Sequence, residues 1–221
     1  MSAVTHTTAK DQVKATACEQ ITVANDPVEF YHSLPDLDHA LLSISKINFE
    51  TLLDKVSTLL APYGDKYGLS LLHRHFSLEE GEIMVESGNI MKPIIPAKEV
   101  KLYEKRWDRN GKPYEYSTEQ QEPVPSELLK DFRKIVPEFT SLGIYSRKGD
   151  DETIQWMEYT DVDDRTHINR PRNKDSEDAP QTAWYSKDGA PLTRGCGGTC
   201  VKNTLRSGKV RSHTKIAHKK K

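Results

Sequence analysis

Two groups of residues in this 221-residue chain have the types and spacing of metal ligands. The first lies in "GLSLLHRHFSLEEGEIMVESG", where His73 and His75 alternate and Glu79, Glu80 and Glu82 follow. On an extended strand, alternate residues project from one face, so both imidazoles can reach the same point. Two imidazoles and a carboxylate such as Glu79 form part of a divalent-metal donor set, with a further ligand needed from elsewhere. His167, in "DDRTHINR", is the spare histidine outside the tails, apart from His32 and His39. The second group is Cys196-x3-Cys200-x12-His213-x4-His218. Two thiolates on a tight turn and two imidazoles one helical turn apart can close a tetrahedron around Zn²⁺. Gly197 and Gly198 permit the turn between the cysteines. Each group has a plain alternative. His73 and His75 would be solvated or hydrogen-bonded residues at a strand rim. The Cys/His spacing would be an accident in a disordered basic tail.

The elements that must position these residues follow from hydrophobic period. "DLDHALLSISKI" places Leu37, Leu41, Leu42 and Ile44 near one helical face. "NFETLLDKVSTLLAPYG" repeats Leu52, Leu53, Val56, Leu59 and Leu60 at helical spacing, with Pro62 and Gly64 to end the helix. The period then changes to two. Residues 67–76 and 81–88 read as strands joined by "SLEE". Residues 99–107 and 113–118 flank Asn110-Gly111, the strongest hairpin signal in the chain. "PSELLKDFRKIV" is a helix with Ser126 as its cap and Leu128, Leu129, Phe132, Ile135 and Val136 as its buried stripe. "SLGIYSRKG" and "TIQWMEYTD" form another pair across "KGDD". Hairpin-linked strands imply an α+β fold, an antiparallel sheet with helices on one face. Trp107, Tyr114 and Tyr116 read first as cross-strand packing and only second as a pocket lining.

Composition sets the domain boundaries. Charged residues make up 29% of the chain and hydrophobic ones only 35%, so part of it has little to bury. Residues 1–26 are expected to be disordered and 27–161 to form the core domain. The stretch 162–188 is expected to be a charged linker and 189–221 a basic Cys/His tail. That tail holds nine Lys and Arg and no acid, leaving 23 basic against 33 acidic residues on 1–188, a net charge of −10. A basic end on an acidic body points to nucleic acid or another polyanion as a partner. Arg206, Lys209, Arg211 and Lys215 are the side chains expected to meet phosphates, positioning rather than reading sequence. No apolar run approaches the roughly 20 residues that span a bilayer, and no signal-peptide core is present. Three cysteines are no disulfide framework. An intracellular protein, cytoplasmic or nuclear and without a membrane partner, is expected. Nucleophile-elbow, Walker A and dinucleotide-binding glycine patterns are absent.

Three resemblances follow from these residues. The spacing of Cys196, Cys200, His213 and His218 is similar to a C2H2 zinc finger over about 25 residues, which implies zinc and nucleic-acid contact. The region lacks that family's aromatic core residues and offers Leu205 and Val210 instead. The His73-x-His75 segment with its glutamates resembles the first metal motif of cupins, whose metal sits in a β-barrel mouth. The second cupin motif has no counterpart, since "NIMKPIIPAKEV" carries the prolines without a histidine. Finally, "YGLSLLHRHFSLEEGEIMV" and "EKRWDRNGKPYEYS" resemble uncharacterised proteins of filamentous fungi, a group that implies no activity. Two functions are therefore expected in order. One is a non-catalytic binding protein whose tail, with zinc, engages nucleic acid. The other is a small metal-dependent enzyme built on His73, His75 and Glu79.

Overall fold

A computed structural model describes residues 26–147, 156–161, 163–171, 179–186, 191–192 and 199–204. Four helices precede or interrupt the strands: α1 (Pro27–Ser33), α2 (Leu37–Ser45), α3 (Phe49–Leu60) and α4 (Ser126–Ile135). Ten strands follow in chain order. They are β1 (Tyr67–Leu71), β2 (Ile83–Ser87), β3 (Ile90–Ile94), β4 (Tyr103–Asp108) and β5 (Pro113–Ser117), then β6 (Leu142–Ser146), β7 (Trp156–Asp161), β8 (Thr166–Pro171), β9 (Ala183–Trp184) and β10 (Thr199–Thr204). They form one sheet in the order β10-β7-β8-β3-β2-β5-β4-β6-β1-β9. The α+β class is as expected.

Local chemistry sets the helix starts. Asp26, Asp36 and Asn48 accept hydrogen bonds from the first-turn amides of α1, α2 and α3, satisfying donors that a helix leaves open. Ser126 is not the cap of α4 but its first residue, preceded by Pro125. Most of the expected stripe residues are buried: Leu52, Leu53, Val56 and Leu60 on α3, and Leu128 and Phe132 on α4. Leu41, Leu59, Leu129 and Ile135 are partly buried, and Leu42 is 54% exposed. These helices pack with α2 on Leu69, Leu71, Trp107, Leu142 and Ile144 of β1, β4 and β6. Helix α1 joins a separate cluster with Leu72, Phe76, Leu78, Met84 and Met91, so the helices do not all share one face.

The strand pairing corrects several expectations. Only the Asn110-Gly111 hairpin joins the strands assigned to it, β4 and β5, with Gly111 at φ 84°. Strand β1 pairs with β6 and β9, not with β2. Strand β6 pairs with β1 and β4, not with β7. Residues 90–94, given no strand from sequence, form β3, the partner of β2 and β8. The sheet is mixed rather than antiparallel, because β2–β5 and β7–β10 run parallel. Strands β8 and β9 lie in the stretch expected to be a charged linker, and β10 in the stretch expected to be a tail. Alternate residues of β7 and β8 face a polar interior, and that removes the hydrophobic alternation by which strands are read.

The sheet curls until its edges meet. The Cys200 amide of β10 donates to the Pro180 carbonyl at 3.0 Å, and the Leu71 amide of β1 donates to the Thr182 carbonyl at 2.7 Å. The segment 180–184 therefore links both ends, leaving little open edge. Gly68 is needed inside this curl. A Cβ there would overlap the Tyr145 ring and lie 2.7 Å from the Trp184 carbonyl oxygen.

Candidate metal centre

Side chains of directly paired residues share a face of the sheet. Following the register from β9 inward gives Ala183, Ser70 and Gly143, then Gly68, Tyr145, Arg106 and Glu115. From the other edge it gives Cys200, Glu158 and Asn169, with Thr160, His167 and Met91 beside them. These residues make up the concave face. Most of them are polar, and Arg106, Glu115, Glu158, Thr160, His167 and Cys200 are all buried.

His73 and His75 stand just past the end of β1 rather than on it. The Arg74 amide donates to the Pro35 carbonyl at 3.0 Å and the His75 amide to the Tyr31 hydroxyl at 3.1 Å, which ties this segment to α1. Both imidazoles are buried, with ring centroids 4.5 Å apart. His73 Nδ1 lies 2.9 Å from the Leu71 carbonyl, which can only accept, so Nδ1 carries the proton and Nε2 the lone pair. Burial pushes His73 down to about 4, so its ring is neutral at ordinary pH. That is the tautomer and charge state a metal needs.

The third histidine is His167 on β8. Its ring centroid is 3.6 Å from that of His75. The Thr160 hydroxyl on β7 lies 3.1 Å from His167 Nδ1 and 3.4 Å from His75 Nδ1, so one side chain fixes both rings. His167 Nε2 is buried without a hydrogen-bond partner, 3.6 Å from Glu158 Oε2. Ligand atoms of His75, Glu158 and His167 all lie within 4.8 Å of one another. So do those of His73, His75 and Cys200. The two sets share His75.

Glu158 is held in place as a carboxylate. Arg106 Nη2 donates to its Oε1 at 2.7 Å and the Thr182 hydroxyl to its Oε2 at 3.2 Å. Burial alone would raise its pKa, but Arg106, His167 and His73 hold it well below the usual carboxylate range. Arg106 also pairs through Nε with Glu115 Oε2 at 2.9 Å. Burial works against the guanidinium charge, and the two glutamates outweigh it. Glu115 itself is raised by burial despite Arg106. Arg106 is thus a fixed cation between two buried carboxylates, Glu115 and Glu158. A bound divalent ion would add positive charge beside Glu158, and buried carboxylates are costly without such partners.

A cavity of about 280 Å³ opens onto this face. Glu158 and Arg106 line it, together with Tyr145, Arg147, Trp156 and Tyr185. It is the mouth of the curled sheet, with Glu158, one member of the candidate triad, in its wall. Lys105 pairs with Glu86 at this mouth, and Arg147 lies 3.9 Å over the Tyr185 ring.

The structure brings together His73 and His75 as the sequence suggested, and adds His167. Glu79 is not brought to them. Its carboxylate is 67% exposed and 3.9 Å from Arg165. The carboxylate in the cluster is Glu158, which the sequence reading passed over. A glutamate alternating with Met157 and Tyr159 in a strand-like run was the signal available. Cys200 is buried in the interior beside His73 and His75. Cys196, Arg206, Lys209, Arg211, His213, Lys215 and His218 lie outside the described residues. Trp107, Tyr114 and Tyr116 are buried in three separate clusters and do not line the mouth. No helix of the described residues is long and apolar enough to cross a membrane. The chain matches no protein-family model, no curated protein and no solved structure.

Proposed function

We propose that this chain is a metal-dependent enzyme, with His75, His167 and Glu158 holding one divalent ion behind the part of the mouth that Glu158 lines. The observation that carries this reading is the triad itself, two imidazoles and one carboxylate with ligand atoms within 4.8 Å of each other. A 2-His-1-carboxylate set that leaves positions open suits a first-row ion, iron(II) foremost, which would supply Lewis-acid or one-electron chemistry. The donor set fits such an ion. Glu158 is ionised, Arg106 fixes its orientation, and Thr160 sets the angle of both rings. The roles of the other residues follow from position. Tyr145, Trp156 and Tyr185 give the mouth flat apolar walls, and Arg147 and Asn169 offer donors to a small polar molecule. Burial of the triad keeps bulk water from the reacting centre.

The test is metal uptake by full-length protein made without chelator or affinity tag. Iron(II) should bind stoichiometrically to wild type and not to His167→Ala or His75→Ala. Equal iron in wild type and the variants would refute the reading. A second reading rests on the charge split. The nine basic residues of 189–221, Arg206, Lys209, Arg211 and Lys215 among them, would contact nucleic acid through phosphates. Affinity for a DNA duplex that falls steeply with salt, and is lost with residues 205–221, would support it. Salt-independent or undiminished affinity would exclude it.

A further inference from the structure

Cys200 is claimed by two ligand sets. Its spacing links it to Cys196, His213 and His218, and its place in the fold links it to His73 and His75. We infer that the Cys200 thiol, with His73 and His75, forms a second metal position, suited to zinc, that fastens the last strand of the sheet to the segment after β1. It goes beyond the enzymatic centre, with which it shares His75.

Four observations lead there. Cys200 is wholly buried, and its ligand atom lies within 4.8 Å of those of His73 and His75. The Leu71 carbonyl fixes His73 with its lone pair on Nε2, the form that binds metal. The donor set differs from that of the first triad. One thiolate and two imidazoles suit zinc, whereas two imidazoles and a carboxylate suit harder ions. Finally, β10 is an edge strand that pairs with β7 in the sheet, and the Cys200 amide also donates to the Pro180 carbonyl. A metal bond from Cys200 to His73 and His75 would add a link across the seam where the curled sheet meets itself.

The chemistry balances without a redox partner. Burial, with Glu158 nearby, pushes the free thiol well above its ordinary value, so it holds its proton in the metal-free protein. On binding, the S–H bond breaks, the sulfur lone pair bonds to the metal, and the proton leaves to solvent.

Cobalt(II) reports this site directly, because a cobalt–thiolate bond gives a near-ultraviolet charge-transfer band that imidazole and carboxylate ligands do not. Full-length wild type titrated with Co²⁺ should develop the band with one equivalent. It should persist in His167→Ala, which affects only the first triad. Cys200→Ser and His73→Gln should abolish it, and His213→Ala should leave it intact. If His73→Gln fails to fold, the contrast between Cys200→Ser and His213→Ala still decides. No band in wild type, or a full band in Cys200→Ser, overturns the inference. A band lost in both Cys200→Ser and His213→Ala also overturns it, in favour of the tail ligand set with Cys196. Equal iron(II) uptake by wild type and His167→Ala, with the thiolate band kept in both, would sink the enzymatic centre and leave this position standing.

Discussion

His75 and His167 are far apart in sequence, yet their ring centroids lie 3.6 Å apart and both rings share the hydroxyl of Thr160. That hydroxyl is the only polar group on the Thr160 side chain, so removing it releases both rings at once. Thr160→Val keeps the shape and should leave folding intact. Metal affinity should fall about 10- to 100-fold, the usual effect of losing a ligand's orienting partner. Competition against a chelator of known affinity measures this. An unchanged affinity would mean that packing alone orients the imidazoles.

Arg106 bridges Glu115 and Glu158 with all three side chains buried. Arg106→Ala leaves two buried carboxylates without their cation and should cost about 3–5 kcal/mol, enough to unfold a marginal domain. Arg106→Ala combined with Glu115→Gln should recover part of that loss, because one uncompensated charge is removed. Urea unfolding of the single and double variants gives the comparison. Strict additivity would show that the bridge is not coupled.

Arg165 grips Glu82 with both guanidinium nitrogens, at 2.9 and 2.6 Å, and also donates to the Ser77 carbonyl at 2.8 Å. It thereby ties the loop after His75 to the turn just before His167. Partial burial would raise the Glu82 pKa, but Arg165 and the Glu79 amide lower it below 4.5, its ordinary value. A carboxylate depressed in the folded state binds fewer protons there than in the unfolded chain. Its contribution is therefore full above 4.5 and is lost as pH falls through the folded value. Glu82→Gln should flatten the acid limb of stability against pH and lower stability at pH 7. Unfolding midpoints between pH 7 and 3 report both effects. Parallel curves for the two proteins would refute the role of Glu82.

Gly68→Ala should destabilise the fold by about 1–3 kcal/mol through overpacking. The added methyl group meets the Tyr145 ring and the Trp184 carbonyl, and backbone cannot swing aside. Gly88→Ala is the control. It has open space around it, and its φ of 62° alone sets its cost. Equal melting temperatures for Gly68→Ala and wild type would mean that the curl at β1 is looser than described.

The legible parts of this fold were those with one apolar side facing the core. The stripes of α3 and α4 repeat Leu52, Val56 and Leu60, and Leu128 and Phe132, at helical spacing. The Asn110-Gly111 turn was legible because Gly111 accepts a positive φ without strain. Strand partners were not, because β1 pairs with residues 142–146 and 183–184, far away in sequence. The concave face was hidden for a different reason. Its strands put Glu158, Thr160 and His167 inward, so the usual rule of polar side out fails there, and residues after 161 resembled a linker. Half of the candidate site was visible as His73-x-His75. The other half needed the fold, since nothing local joins Glu158 and Cys200 to those rings. Sites that reverse the binary pattern are where sequence reading is expected to fail.

The central claim is that the buried triad binds metal, and metal content by mass spectrometry tests it most directly. Removing residues 189–221 would also remove β10 and Cys200, so the comparison must use full-length variants. Wild type, purified without chelator or tag and supplied with iron(II), manganese(II) or zinc(II), should carry at least one equivalent of a divalent ion. His75→Ala, which belongs to both ligand sets, should carry none at the domain while keeping its sheet content by circular dichroism. A wild-type protein that takes up no ion, or a folded His75→Ala that retains the full complement, would contradict the account.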